Sequence, residues 1–426
     1  MRVSGVSDVL RNRDFAFYWA GVVLSQIGTR AAVAANLYHV YELSRSTAQV
    51  GLVGVAQAVA LVVLSPLGGV LADRVDRRRL LQYSQAAALV VTAALAAVTL
   101  AGVATTWMVV ASALLATAAA SFDQPARQAL IPALVPQHRL VDAIALINPS
   151  REFAVLTGPA LGGVLIALAG PGAVYAFDAV TYAALIASLA VMRVRTTPGP
   201  GAREPVLHAL RVGLTQFLAR PVVWRMTALD LAATVFSAYR VLLPAFALDV
   251  LHAGPTGYGV LSAAPSAGAL IGSVLVFRLV RSRRSGVLVL VSTALYGLLI
   301  LAFAHVTVFW AAVLLVGALG VADAIATTIR HAAVQIETPD EIRGRVSAIY
   351  QMASRGGPAI GDGLIGAVAA VTGPVGALTI GGLVPVAAAG VTAVAGRSVR
   401  DYSIAGFAEQ DEPVGTSSPP PRAPKE

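Results

Sequence analysis

The stretch Ala48–Arg79, AQVGLVGVAQAVALVVLSPLGGVLADRVDRRR, decides the architecture. Residues 48–72 carry no charge, and then Asp73, Arg74, Asp76 and Arg77 to Arg79 crowd into seven positions. About 20 predominantly apolar residues, rising ~1.5 Å each, cross the ~30 Å hydrocarbon layer of a bilayer. The run is long enough to span. Its abrupt switch to charge marks where the chain leaves lipid.

Outward from this stretch, similar runs recur along nearly the whole chain. Spans are predicted at 15–42, 48–72, 80–102, 106–126, 148–170, 173–192, 226–248, 257–279, 286–304, 307–329, 346–371 and 374–395. Composition agrees: 57% of the 426 residues are apolar and 12% charged, against roughly 25% charged in soluble domains. The fold class read from this is an all-α integral membrane protein with twelve transmembrane helices in two six-helix bundles. The organisation expected is a cytoplasmic N-terminus at 1–14, a first bundle at 15–192 and a central loop at 193–225. A second bundle follows at 226–395, then a disordered tail at 396–426 rich in proline.

The net charge of +9 does not point to nucleic acid, because it sits in loop clusters between apolar spans. Twenty-four of the Lys and Arg residues fall at alternate connections and both ends, and only Arg45 falls opposite. Cytoplasmic loops collect basic residues. Both termini are therefore expected in the cytoplasm of a multi-pass inner-membrane protein, with the bilayer as its main partner. No cysteine is present, and no histidine pair has metal-ligand spacing. No cofactor, metal site or enzymatic constellation is expected, and no nucleotide-binding loop is found.

The two halves repeat. Gly158-Pro159-Ala160-Leu161-Gly162 recurs as Gly357-Pro358-Ala359-Ile360-Gly361, Pro136 is matched by Pro339, and Arg127 by Arg330. Parallel repeats suggest two bundles about an axis normal to the membrane, with a substrate site between them near mid-depth.

Gly69-Val70-Leu71-Ala72-Asp73-Arg74-Val75-Asp76-Arg77-Arg78-Arg79 resembles the cytoplasmic loop signature of the major facilitator superfamily, departing from it at Asp76, where that signature prefers glycine. The resemblance implies a gating latch of Gly69, Asp73, Arg74, Arg77 and Arg78, in which Asp73 and Arg77 hold span two against span eleven in the outward-open state. The segment Gly158, Pro159, Gly162 and Gly163 resembles the fifth-helix antiporter signature of exporters in that superfamily. Proline bends a helix and the glycines admit close neighbours. Phe122-Asp123-Gln124-Pro125-Ala126-Arg127 through Pro136, with Asn12 to Phe15 and Trp19, is similar to the branch that contains the enterobactin exporter and macrolide efflux proteins.

Ionisable residues at mid-span cost ~2.5–3.5 kcal/mol on insertion scales, so they mark cavities or partners. The candidates for substrate cavity or proton coupling are Arg30, Asp123, Arg127, Arg151, Glu152, Asp230, Arg240, Asp323, Arg355 and Asp362. Asp123 and Arg127, four apart on one helix face, are expected to pair. Arg30 is expected either to meet Glu152 or Asp230, or to join Arg240 in favouring an anionic substrate. Asp323 and Asp362 lack a cation at i±4; one of these two, or Glu152, is expected to carry the proton, with Arg355 a partner for Asp362. The function expected is secondary active efflux of a small amphiphilic compound (a drug, macrolide or siderophore-like metabolite) by a monomer in exchange for protons. An importer, or a non-transporting receptor on the same fold, is the alternative.

Overall fold

A computed structural model describes residues 9–193, 206–279 and 284–404, apart from the side chains at 65–70, 72–74, 206–207, 209, 277 and 355. The tail from 405, the loop residues 194–205, Arg281 and Arg283 lie outside the described residues. So do the side chains of Gly69, Asp73, Arg74 and Arg355, so those parts of the latch and the Arg355–Asp362 pairing are not described.

Lipid offers no hydrogen-bond partners, so a spanning chain must satisfy its own backbone, and a helix does so within one segment. The first bundle holds α1 (Arg13–Ser44), α2 (Thr47–Arg74), α3 (Arg77–Leu100), α4 (Thr106–Leu134), α5 (Leu140–Ala169) and α6 (Pro171–Val191). A connector helix, Val206–Leu218, leads to α7 (Pro221–Phe236), α8 (Gly254–Leu279), α9 (Ser285–His305) and α10 (Phe309–Ile336). The element Asp340–Ala395 turns at Gly373 (φ 75°) and so forms two spans, α11 (340–372) and α12 (374–395). Ten described helical stretches are long and apolar enough to cross a membrane. With the last of them counted as two and α1 added, the protein spans twelve times.

Several predicted boundaries need correction. The span expected at 106–126 runs on to Leu134, and the one expected at 148–170 begins at Leu140. Hydropathy marks where lipid ends, whereas a helix stops where its backbone is capped. The span expected at 226–248 is not one helix. After Phe236 the chain passes through a 3₁₀ turn (Tyr239–Leu242), one α turn and a π turn (Phe246–Val250).

Local chemistry fixes the turns. Asn12 caps α1 by accepting from the Asp14 and Phe15 amides, and the Ser46 hydroxyl accepts from the Gln49 amide at the start of α2. Asp76 caps α3, its Oδ1 accepting from the Arg79 amide at 2.9 Å. An N-cap carboxylate stabilises a helix by about 1 kcal/mol, which gives a physical reason for aspartate where the signature prefers glycine. Gly170 (φ 77°) joins α5 to α6, as Gly373 joins α11 to α12, and proline follows each at the first helical position. Only glycine enters that backbone region freely, and proline is preset for a helix start.

Packing repeats as the sequence does. Helix α1 packs on α5 and α6, α2 on α4, and α3 on α6; correspondingly α7 packs on α11, α8 on α10, and α9 on α12. Gly158 and Gly162 of α5 sit against Ile27 and Ala31 of α1, and Gly361 of α11 sits against Thr234 and Val235 of α7. The halves meet along two seams, α2 with α11 and α5 with α8. Both termini leave from one end of the molecule, here the terminal end; the turns at 45–46, 170, 251–253 and 373 form the distal end. Near the distal end the seams are tight. A Cβ on Gly163 would lie 2.5 Å from the Gly259 Cα, and one on Gly366 would lie 2.7 Å from the Thr47 carbonyl oxygen.

Candidate functional site

A cavity of about 400 Å³ opens between the halves, within the size range of small-molecule sites. Helices α7, α8, α10 and α11 supply most of its wall, and α5 contributes Glu152 and Val155. It runs from Arg240, Leu319 and Asp362 at mid-depth towards His331 and Tyr350, nearer the terminal end. The glycine seams close it off from the distal end.

Its charges are held in a defined order. Arg330 reaches from α10 to α7, Nη2 lying 2.8 Å from Asp230 Oδ1, both side chains at most 5% exposed. The same Nη2 donates to Thr327 Oγ1 at 2.6 Å and lies 3.7 Å from Asp323 Oδ1. The Ser354 hydroxyl of α11 donates to Asp230 Oδ2 at 3.0 Å. Asp362 lies on the α2–α11 seam, its side chain against Gly54, and the charge of Arg240 reaches it. Arg240 donates a hydrogen bond to the Tyr239 hydroxyl.

The structure brings together five predicted residues here: Glu152, Asp230, Arg240, Asp323 and Asp362. Asp230 pairs with Arg330, not with Arg30, because α7 and α10 face each other in the second half. Asp323 has no cation at i±4, yet Arg330 two turns away is within reach. Asp123 and Arg127 pair as their spacing predicts, at 2.7 Å, but inside the first bundle, where Gln85 Nε2 donates to Asp123 Oδ1 at 3.0 Å. Neither lines this cavity. Nor does Arg30, which packs at the α1–α5 contact opposite Gly158, or Arg151, which meets Glu152 at 3.2 Å. The anionic substrate expected from Arg30 and Arg240 therefore loses one of its two cations. In the described part of the loop latch, Arg77 donates to the Ala129 carbonyl and Arg78 to the Ala190 carbonyl, both within the first bundle.

Other residues escaped the sequence reading. Tyr239, Tyr296 and Tyr350 line the cavity, and tyrosine within an apolar run gives no signal of which face it occupies. Asp178 of α6 is 2% exposed, with Thr29 and Thr181 hydroxyls at 3.5 Å. At the distal end the Tyr41 hydroxyl donates to Asp249 Oδ2, and Arg45 lies 3.1 Å from Asp249 Oδ1, tying α1 to the π turn after α7. Among the described residues no group of acidic and histidine side chains has the makings of a metal site.

A two-bundle helical protein with a closed distal seam and a polar cavity between its halves has the architecture of a membrane transporter. The profile of the transmembrane secretion effector family matches residues 4–404, and the chain belongs to that family of the major facilitator superfamily. It is a multi-pass membrane transporter and not an enzyme. It is 30% identical to the enterobactin exporter EntS of Citrobacter koseri, over 80% of this chain and 81% of that one. Its fold matches the crystal structure of the nucleoside transporter NupG with a TM-score of 0.70 at 15% identity, covering 92% of this chain and 99% of that one. A bacterial homologue of the human lysosomal transporter Spinster, in an inward-facing and occupied conformation, matches with a TM-score of 0.70 at 13% identity, covering 91% and 98%.

Proposed function

We propose that this protein exports a small amphiphilic compound, of the drug, macrolide or siderophore-like kind, by alternating access coupled to proton entry. The single observation that carries the reading is the mid-depth cavity between repeated halves, closed distally by glycine contacts and holding Asp362 where the halves meet. The clustering of arginines at the terminal end supports a cytoplasmic location for that end and both termini. The cavity then faces the cytoplasm, as loading an exporter requires. The kinship to enterobactin exporters supports outward transport and a siderophore-like cargo.

In the cycle, the loop latch of Gly69, Asp73, Arg74, Arg77 and Arg78 forms when the terminal end closes, and the distal seam opens. Asp362 is the proton carrier best placed to couple the two. Protonation of Asp362 would release Arg240 and change how α11 packs on α2. The test is transport by the purified protein in proteoliposomes with an imposed proton gradient. Substrate movement should follow the gradient and stop with an uncoupler. Movement indifferent to both would overturn the coupling, and movement only towards the terminal face would overturn export.

A further inference from the structure

The charges on the cavity wall can be matched one against another. Glu152 has Arg151 at 3.2 Å, Asp230 has Arg330 at 2.8 Å, and Asp362 has the field of Arg240. Among the described residues Asp323 is the most loosely held of these carboxylates, with only the shared Arg330 at 3.7 Å. Its side chain is 51% exposed, whereas that of Arg330 is 4% exposed. Arg330 Nη2 lies closer to Asp230, leaving Asp323 at 3.7 Å. Thr327 donates to Asp323 Oδ1 at 3.2 Å, and among the described residues Oδ2 receives no hydrogen bond. Tyr239 and Tyr296 line the same cavity. A half-exposed carboxylate in a cavity that tyrosines also line is chemistry that receives an ammonium group. The carboxylate supplies the opposite charge and the ring faces attract a cation. An anion would meet the charge of Asp323, which Arg330 offsets only from 3.7 Å.

We infer that the cavity takes an amphiphilic cation, with the substrate's ammonium or other cationic centre against Asp323 Oδ2 and its apolar body along the tyrosines. The inference rests on the reading of this cavity as the substrate site, and it separates the two acidic tasks. Asp323 holds substrate, and Asp362 at the seam is left for the proton.

Tetraphenylphosphonium and tetraphenylborate are matched in size and shape and opposite in charge, which makes them suitable probes. Their binding to the purified full-length protein is measured by equilibrium dialysis, with Asp340→Asn as the surface control. Wild type and Asp340→Asn should bind the phosphonium at least about tenfold more tightly than the borate. Asp323→Asn should lose that preference, and Asp323→Glu should retain it. A borate bound as tightly as the phosphonium, or a preference that survives in a folded Asp323→Asn protein, overturns the inference. If the Asn variant melts early, the wild-type preference and the Glu variant decide the matter. Gradient-driven transport in proteoliposomes is scored separately. Transport without cation preference removes only this inference, whereas cation binding without transport removes the exporter reading.

Discussion

Arg330 of α10 and Asp230 of α7 form a buried ion pair, 2.8 Å between Nη2 and Oδ1, that fastens two helices of the second bundle beside the cavity. Its counterpart in the first bundle, Arg127, pairs instead with Asp123 on its own helix. The repeated arginine thus staples one bundle across helices and the other along a single helix. Removing one partner of a buried pair strands the other charge, at a cost of about 3–5 kcal/mol. Arg330→Ala and Asp230→Ala should each lower the melting temperature of the purified protein sharply. The double variant Asp230→Leu with Arg330→Met should recover much of the loss. A double variant as unstable as the sum of the singles would show that the two residues act apart.

The distal seam depends on an absent side chain. A Cβ at Gly163 would meet the Gly259 Cα at 2.5 Å, backbone against backbone, where neither element can yield. Gly163→Leu should therefore hold the distal end open. The protein contains no cysteine, so Ser266→Cys on the cavity wall can be labelled alone with a membrane-impermeant maleimide. Labelling should come from the face of the termini in the glycine protein and from the opposite face in the leucine protein.

Two groups hold Asp249 at the distal end, and physical chemistry ranks them. Arg45 is well exposed, with 62% of its side chain open, and exposed pairs contribute about 0–1 kcal/mol. The hydroxyl of the buried Tyr41 donates to the same carboxylate, and a hydrogen bond to a charged group contributes about 1.5–3 kcal/mol. Tyr41→Phe should raise distal labelling of Ser266→Cys about tenfold or more. Arg45→Ala should change it by a few-fold at most, and salt should reduce even that.

Asp362 and Glu152 both line the cavity, and Asp362 packs across a seam against Gly54 of α2. Asp362→Asn should abolish the response of transport to an imposed proton gradient while leaving phosphonium binding within about twofold. Glu152→Gln, which removes a half-exposed carboxylate beside Arg151, should leave the gradient response intact. A coupled Asp362→Asn protein would move the proton site elsewhere, with the buried Asp178 the next to examine.

Much of this protein is legible without coordinates. Apolar run length sets the spans, and Gly158, Gly162 and Pro339 mark the repeat because backbone contact and helix capping are local demands. Asp123 with Arg127 is legible for the same reason, since four residues on one helix bring side chains together. The ends of α4 and α5 are less legible, because each helix continues beyond the hydrocarbon layer that hydropathy detects.

Apolar patterning and repeated motifs place the chain in lipid, show it to be doubled, and mark where glycine and proline must bend or admit a neighbour. The packed helices assign Asp230 to Arg330, take Arg30 off the cavity wall, and leave Asp323 half-exposed in the cavity. Pairings across helices depend on the rotation and depth of each helix against its neighbours. Those are set by packing summed over whole seams, and no spacing along a single helix records them.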